Sequence, residues 1–82
     1  MSYTINKIDI KRIGEDESVV EVAILLTAKD KQFKMVITKQ SSLSLYTVLY
    51  NSNNRIVDIS SPLYKEIYDL SGHLISLIKN VL

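Results

Sequence analysis

The chain lacks cysteine and tryptophan, and it has one proline and two glycines among 82 residues. Without cysteine, a disulfide-stabilised scaffold and a cysteine-based zinc site are both excluded. No apolar run approaches the roughly 20 residues that span a bilayer. No charged segment leads into an apolar stretch of the kind that forms a signal peptide. We therefore expect a cytoplasmic protein with no membrane contact.

Charge of one sign is also scarce, since the formal net charge is only +1. With 46% hydrophobic residues, this balance excludes intrinsic disorder and predicts a single domain over residues 1–82. Isoleucine, valine and tyrosine are common while alanine is rare, so the composition favours strands. The same bias is typical of AT-rich genomes, which is consistent with a low-GC bacterium, its phage or an archaeal virus as the source.

The first half of the chain predicts three strands in an antiparallel meander, over residues 4–13, 18–29 and 32–40. Short polar segments separate them. In the first strand the apolar positions change phase, and a bulge near Asn6 or Lys7 would bring both phases to one face.

The second of these strands is apolar on both faces. One face carries Val20, Val22, Ile24 and Leu26, and the other carries Val19, Ala23 and Leu25. Such a strand is usually central in its sheet and covered on both sides.

Residues 41–54 fit two patterns. Alternation and the tyrosine, threonine and valine content favour a strand, with a further short strand over 55–60. A helix over 42–52 is the alternative, because Leu45, Tyr46, Leu49 and Tyr50 also share one helical face.

A long C-terminal helix is predicted from Ser61, a good N-cap, and Pro62, which suits the first helical position. Its apolar residues form two adjacent stripes, wider than a helix lying on a sheet requires. The first stripe is Leu63, Ile67, Leu70, Leu74, Leu77 and Val81, and the second is Tyr64, Tyr68, Ser71, Ile75, Ile78 and Leu82.

The predicted fold is therefore α+β, an antiparallel sheet of four or five strands with one long amphipathic helix packed on one face. The helical alternative for residues 42–52 changes the element order to βββαβα.

The second helical stripe is the predicted protein interface, comprising Tyr64, Tyr68, Ser71, Ile75, Ile78 and Leu82. Tyrosine suits such a surface because it combines a large apolar ring with a polar tip. A small domain has a marginal core, so a second copy of the chain is the expected partner. The alternative is a curved sheet that wraps the helix and covers both stripes.

A strand face bearing lysines predicts a second function, nucleic-acid binding, through Lys7, Lys11, Lys34 and Lys39. Tyr46 and Tyr50 would provide stacking positions. The near-neutral net charge argues against this function, because domains that bind phosphate backbones usually have a clear basic excess.

No pattern in the chain predicts an enzyme. His73 is the only histidine, and no nucleophile–base pair, metal-ligand cluster or phosphate-binding glycine loop accompanies it. We expect no catalytic residue, cofactor, metal or small-molecule substrate. The sequence instead predicts a small protein-binding protein, for which an inhibitor or accessory factor of a phage or mobile element is one interpretation.

Overall fold

The computed structural model describes residues 3–15, 18–40, 45–58 and 60–79. These form a four-stranded antiparallel sheet in the order β1-β2-β3-β4, followed by one helix. The elements are β1 (Tyr3–Ile13), β2 (Val19–Ala28), β3 (Lys31–Lys39), β4 (Leu45–Asn51) and α1 (Pro62–Ile78). The α+β class and the meander are confirmed.

The β2–β3 hairpin closes through a turn of two residues. Lys29 and Asp30 both have positive φ angles, 52° and 60°. A turn with two positive φ angles follows the right-handed twist of the flanking strands, which is why it suits tight hairpins. Lys29 also forms an ion pair with Glu66 in the first half of α1, which ties this turn to the helix.

A bulge in β1 is confirmed at the predicted place. Ile5 pairs with Leu26 and Lys7 pairs with Leu25, so Asn6 is the extra residue. Its side-chain amide donates to the hydroxyl of Thr27 at 2.8 Å. The bulge brings both apolar phases of β1 to the same face of the sheet.

Residues 45–51 are a strand, so the helical alternative for residues 42–52 is wrong over the described part of that segment. Residues 41–44 lie outside the described residues. In place of a fifth strand, the connector over residues 52–58 forms a single bridge, between Ile56 and Tyr50.

Helix α1 begins at Pro62, directly after Ser61, as the capping pattern predicts. The backbone N–H of Lys65 donates to the carbonyl of Ser61 at 3.2 Å. The helix has 17 residues and ends at Ile78, which makes it shorter than the predicted helix. Val81 and Leu82 lie outside the described residues, as do the side chains of Leu63 and Tyr64.

The core lies between α1 and one face of the sheet, here called the helix face. Strands β2, β3 and β4 supply most of it, and Ile67, Leu70 and Leu74 enter from α1. The strand residues are Val20, Val22, Ile24, Leu26, Ala28, Phe33, Met35, Ile37 and Leu49. The opposite side of the sheet, here called the open face, is not packed by α1.

Candidate interaction surfaces

The predicted helical interface is divided between the core and the surface. Ser71 is buried, and its hydroxyl donates to the carbonyl of Tyr68. Ile75 and Ile78 are partly buried and pack against the core. Of the predicted set, Tyr68 alone is a large exposed side chain among the residues whose side chains are described. The side chain of Tyr64, and Leu82 as a whole, lie outside the described residues.

Among the described side chains of α1, the large exposed apolar ones lie on two opposite flanks. Tyr68 lines a cleft with Tyr46 of β4, so its flank faces the β4 side of the molecule. Leu77 follows Tyr68 by nine positions, which at about 100° per residue places it half a turn away, on the β1 side. Leu77 is 64% exposed, although the sequence pattern assigns it to the core stripe. The helix thus has two narrow apolar flanks, since the sheet covers the zone between them.

The open face has an apolar centre. Ala23, Val36 and Val48 lie side by side across β2, β3 and β4, and all three are half-buried. Leu25 lies in the next row and is 40% exposed. Central strand β2 is therefore apolar on both faces, but α1 packs on only one of them.

Charged groups surround this apolar centre. Lys7, Lys11 and Lys34 all lie on the open face, as their pairing with Leu25 and Glu21 requires. Lys7 forms an exposed ion pair with Asp9, with 3.5 Å between nitrogen and oxygen. The open face therefore has charges of both signs.

Two tyrosines lie on the open face, but one of them already has a cationic neighbour. The Lys34 ammonium lies 5.0 Å from the centre of the Tyr50 ring, a cation–π distance. Tyr46 lies two rows away and is exposed.

Lys39 lies on the other side of the sheet from the remaining lysines of the predicted nucleic-acid set. It pairs with Val20 and Leu45, and Val20 belongs to the core. The five-residue spacing between Lys34 and Lys39 predicts that they lie on opposite faces, since residues an odd number apart in a regular strand point to opposite faces.

The outer edge of β1 has no strand paired to it in the part of the chain that the structure describes. The bulge aligns Ile5, Ile8 and Ile10 on the helix face, and these three residues are here called the isoleucine row. Their exposed fractions are 36%, 42% and 46%, because α1 lies closer to β4 than to β1. Within the described ranges, β1 pairs with β2 and with no other segment.

The outer edge of β4 is partly covered by the connector. The N–H of Val57 donates to the carbonyl of Leu49 at 2.9 Å, and the N–H of Asn51 donates to the carbonyl of Arg55 at 2.9 Å. The Asn51 side-chain oxygen accepts from the backbone N–H groups of Asn53 and Arg55. These bonds hold the connector along the end of β4.

A carboxylate stabilises the passage from the connector into α1. Asp58 accepts from both the backbone N–H and the hydroxyl of Ser60, each at 2.9 Å. These two hydrogen bonds to the ionised carboxylate lower the pKa of Asp58 below 3.8. Asp58 also lines an open cleft of about 690 Å³ together with Asp30, Phe33 and Asn51.

The described ranges contain neither a metal-ligand cluster nor a helix that could span a membrane. Among the described residues, no three His, Cys, Asp or Glu side chains are grouped as a metal site requires. None of the described helical residues forms a segment with the length and hydropathy needed to cross a membrane.

Comparison with known proteins adds no family to this description. The chain matches no protein-family model, no curated protein and no solved structure at a significant level.

Proposed function

We propose that the chain is a small, non-enzymatic, cytoplasmic protein that works by binding protein, with a homodimer as its working unit. The observation that carries this proposal is the apolar surface of the sheet that the described residues leave exposed, including Ile8, Ile10 and Leu25. Contiguous exposed apolar patches on small proteins typically mark protein interfaces. Two-fold homodimers are the commonest soluble assemblies, and they add buried area that a domain of this size lacks.

The open face is the proposed binding site for a second, different protein. Its centre combines Leu25, Val36 and Val48 with Tyr46, an arrangement of apolar centre and polar rim that is typical of interfaces. An inhibitor or accessory factor of a phage or mobile element would act through such a face by occlusion or scaffolding. The lack of cysteine is consistent with a reducing compartment.

The mass of the protein in solution tests the homodimer. Sedimentation equilibrium from low to high micromolar concentration should give a mass that rises from one chain to two. A mass of one chain at every concentration would contradict the proposal.

Affinity capture from the host tests the open face. Wild-type bait should retain a partner that bait carrying Leu25→Lys loses. Ser76→Lys is the matched control, because Ser76 is exposed on α1, away from the open face. Equal capture by all three baits would contradict binding through the open face.

Nucleic-acid binding is the second candidate, favoured by one observation. Lys7, Lys11 and Lys34 share the open face with Tyr46 and Tyr50. It predicts salt-dependent retention on single- or double-stranded nucleic acid, which Lys11→Glu and Lys34→Glu should weaken.

Lys39→Glu is the matched control for these lysines, because Lys39 lies on the helix face. It makes the same charge change and should leave retention closer to wild type. Absence of retention at low salt would eliminate this candidate.

A further inference from the structure

We propose that two copies of the chain join edge to edge through β1, antiparallel, with Ile10 of one copy opposite Ile10 of the other. This inference rests on the proposed homodimer, and it adds which strand forms the interface and in which register the two copies pair. Joining β1 to β1 would make one continuous eight-stranded sheet with both helices on the same side.

The backbone of β1 provides the first argument. An edge strand presents a row of N–H and C=O groups that can pair with another strand. The other edge of the sheet is partly occupied by the connector, through its bonds to Leu49 and Asn51. The longest available edge in the described structure is therefore β1, with 11 residues.

The bulge limits the paired segment. Regular pairing of β1 begins after Asn6, where the register shifts, and runs to Ile13. A two-fold axis at Ile10 uses this whole stretch, because it places Lys7 opposite Ile13 of the second copy. An axis at Ile8 would bring the bulge into the paired stretch, since it places Ile10 opposite Asn6.

Charge complementarity favours this register over one centred on Asp9, whereas the bulge and not charge excludes the axis at Ile8, which would place Asp9 opposite Lys7. With the axis at Ile10, Asp9 of each copy lies opposite Lys11 of the other, so two pairs of opposite charge form on the open face. With the axis at Asp9, the two Asp9 side chains would face each other and Lys7 would face Lys11. Opposite charges across a strand pair stabilise it and like charges destabilise it.

The isoleucine row provides the apolar part of the interface. In this register the two Ile10 side chains meet on the helix face, and Ile8 lies beside the aliphatic stem of Arg12 from the second copy. Side chains that a single chain leaves exposed are thus partly removed from water.

Charge reversal tests the register. Asp9→Lys alone and Lys11→Asp alone should each raise the dimer dissociation constant by about tenfold or more, because each places like charges opposite at two symmetric positions. The double variant Asp9→Lys/Lys11→Asp should restore association, since opposite charges face each other again. Lys34→Asp makes the same charge change on β3, away from the edge, and should leave the constant near wild type.

A single cysteine gives an independent test, since the chain has none of its own. Under mild oxidation, Ile10→Cys should form a covalent dimer, because residues on the axis face each other. Ile5→Cys is the control, exposed on the same strand and face but outside the paired stretch. Circular dichroism of each variant establishes that it is folded.

The outcomes separate the two proposals. A wild-type chain that stays monomeric contradicts the homodimer and the edge pairing together. A dimer that is unaffected by the single reversals, and in which both cysteines cross-link equally or neither does, overturns the edge pairing alone. If that dimer dissociates on Tyr68→Glu, the β4-side flank of α1 is the interface instead.

Discussion

The two edges of this sheet differ in backbone pairing and in side-chain exposure. At β4 the connector bonds to the backbone of Leu49 and Asn51, and the Leu49 side chain lies in the core, only 2% exposed. At β1, Ile8 and Ile10 occupy the same face and remain over 40% exposed. One edge is partly covered by the connector, and the other, over the described residues, has both its backbone groups and its apolar side chains available.

This difference follows from where the helix and the connector lie. Both are placed on the β4 side by the chain order, because they follow β4 directly. Helix α1 packs beside β4, and β1 is the strand at the opposite edge of the sheet. The chain thus stabilises one edge itself, and we infer that association supplies the cover for the other.

The largest expected effect is a difference in the free energy of unfolding between substitutions at the two edges. Leu49→Ala should lower the free energy of unfolding by about 2–5 kcal/mol, the usual loss for a buried leucine. Ile8→Ala should cost less than about 1 kcal/mol in the single chain, since Ile8 is already in contact with water. Urea unfolding at the lowest measurable concentration compares them. Equal losses would mean that β1 is covered within one chain.

A smaller effect is expected at the connector. Asn51→Ala removes the side-chain oxygen that accepts from two backbone N–H groups, and should cost about 1 kcal/mol. Asn53→Ala is the matched control, since Asn53 takes part through its backbone and this substitution leaves the backbone intact. Denaturant unfolding measures both variants. A loss in the control as large as in Asn51→Ala would show that the side-chain oxygen does not stabilise the connector.

The smallest effect is expected from the Asp58 turn. Because the folded-state pKa of Asp58 is lowered, its contribution to stability is present above pH 3.8 and is lost as the pH falls through the folded-state value. The effect is small because the carboxylate is exposed. Asp58→Asn should flatten this part of the stability–pH curve, measured by urea unfolding in acid. An unchanged curve would show that the Ser60 bonds do not contribute.

Local patterns in the sequence predict the secondary-structure elements better than they predict the contacts between those elements. The change of phase between Ile5 and Ile8 predicts the bulge, and Ser61-Pro62 predicts the start of α1. The spacing of Lys34 and Lys39 predicts opposite faces, although both belong to the predicted nucleic-acid set. These features depend on neighbours along the chain, which is why the sequence contains them.

The candidate surface is less predictable because it depends on packing between distant elements. Leu77 has the spacing of a core residue, yet it is exposed because α1 lies towards β4. The spacing of Ser71 and Ile75 places them on the predicted interface stripe, yet Ser71 is buried and Ile75 packs against the core. Periodicity gives the angle between residues on a helix but not the direction in which the sheet lies.

Amide hydrogen exchange at several protein concentrations tests the pairing of β1 most directly. We expect protection of residues 7–13 to increase with concentration, while protection of β4 and of the Val57 amide stays constant, because only the β1 edge gains partners on association. Protection of β1 that is independent of concentration in a solution where the dimer forms would contradict this account.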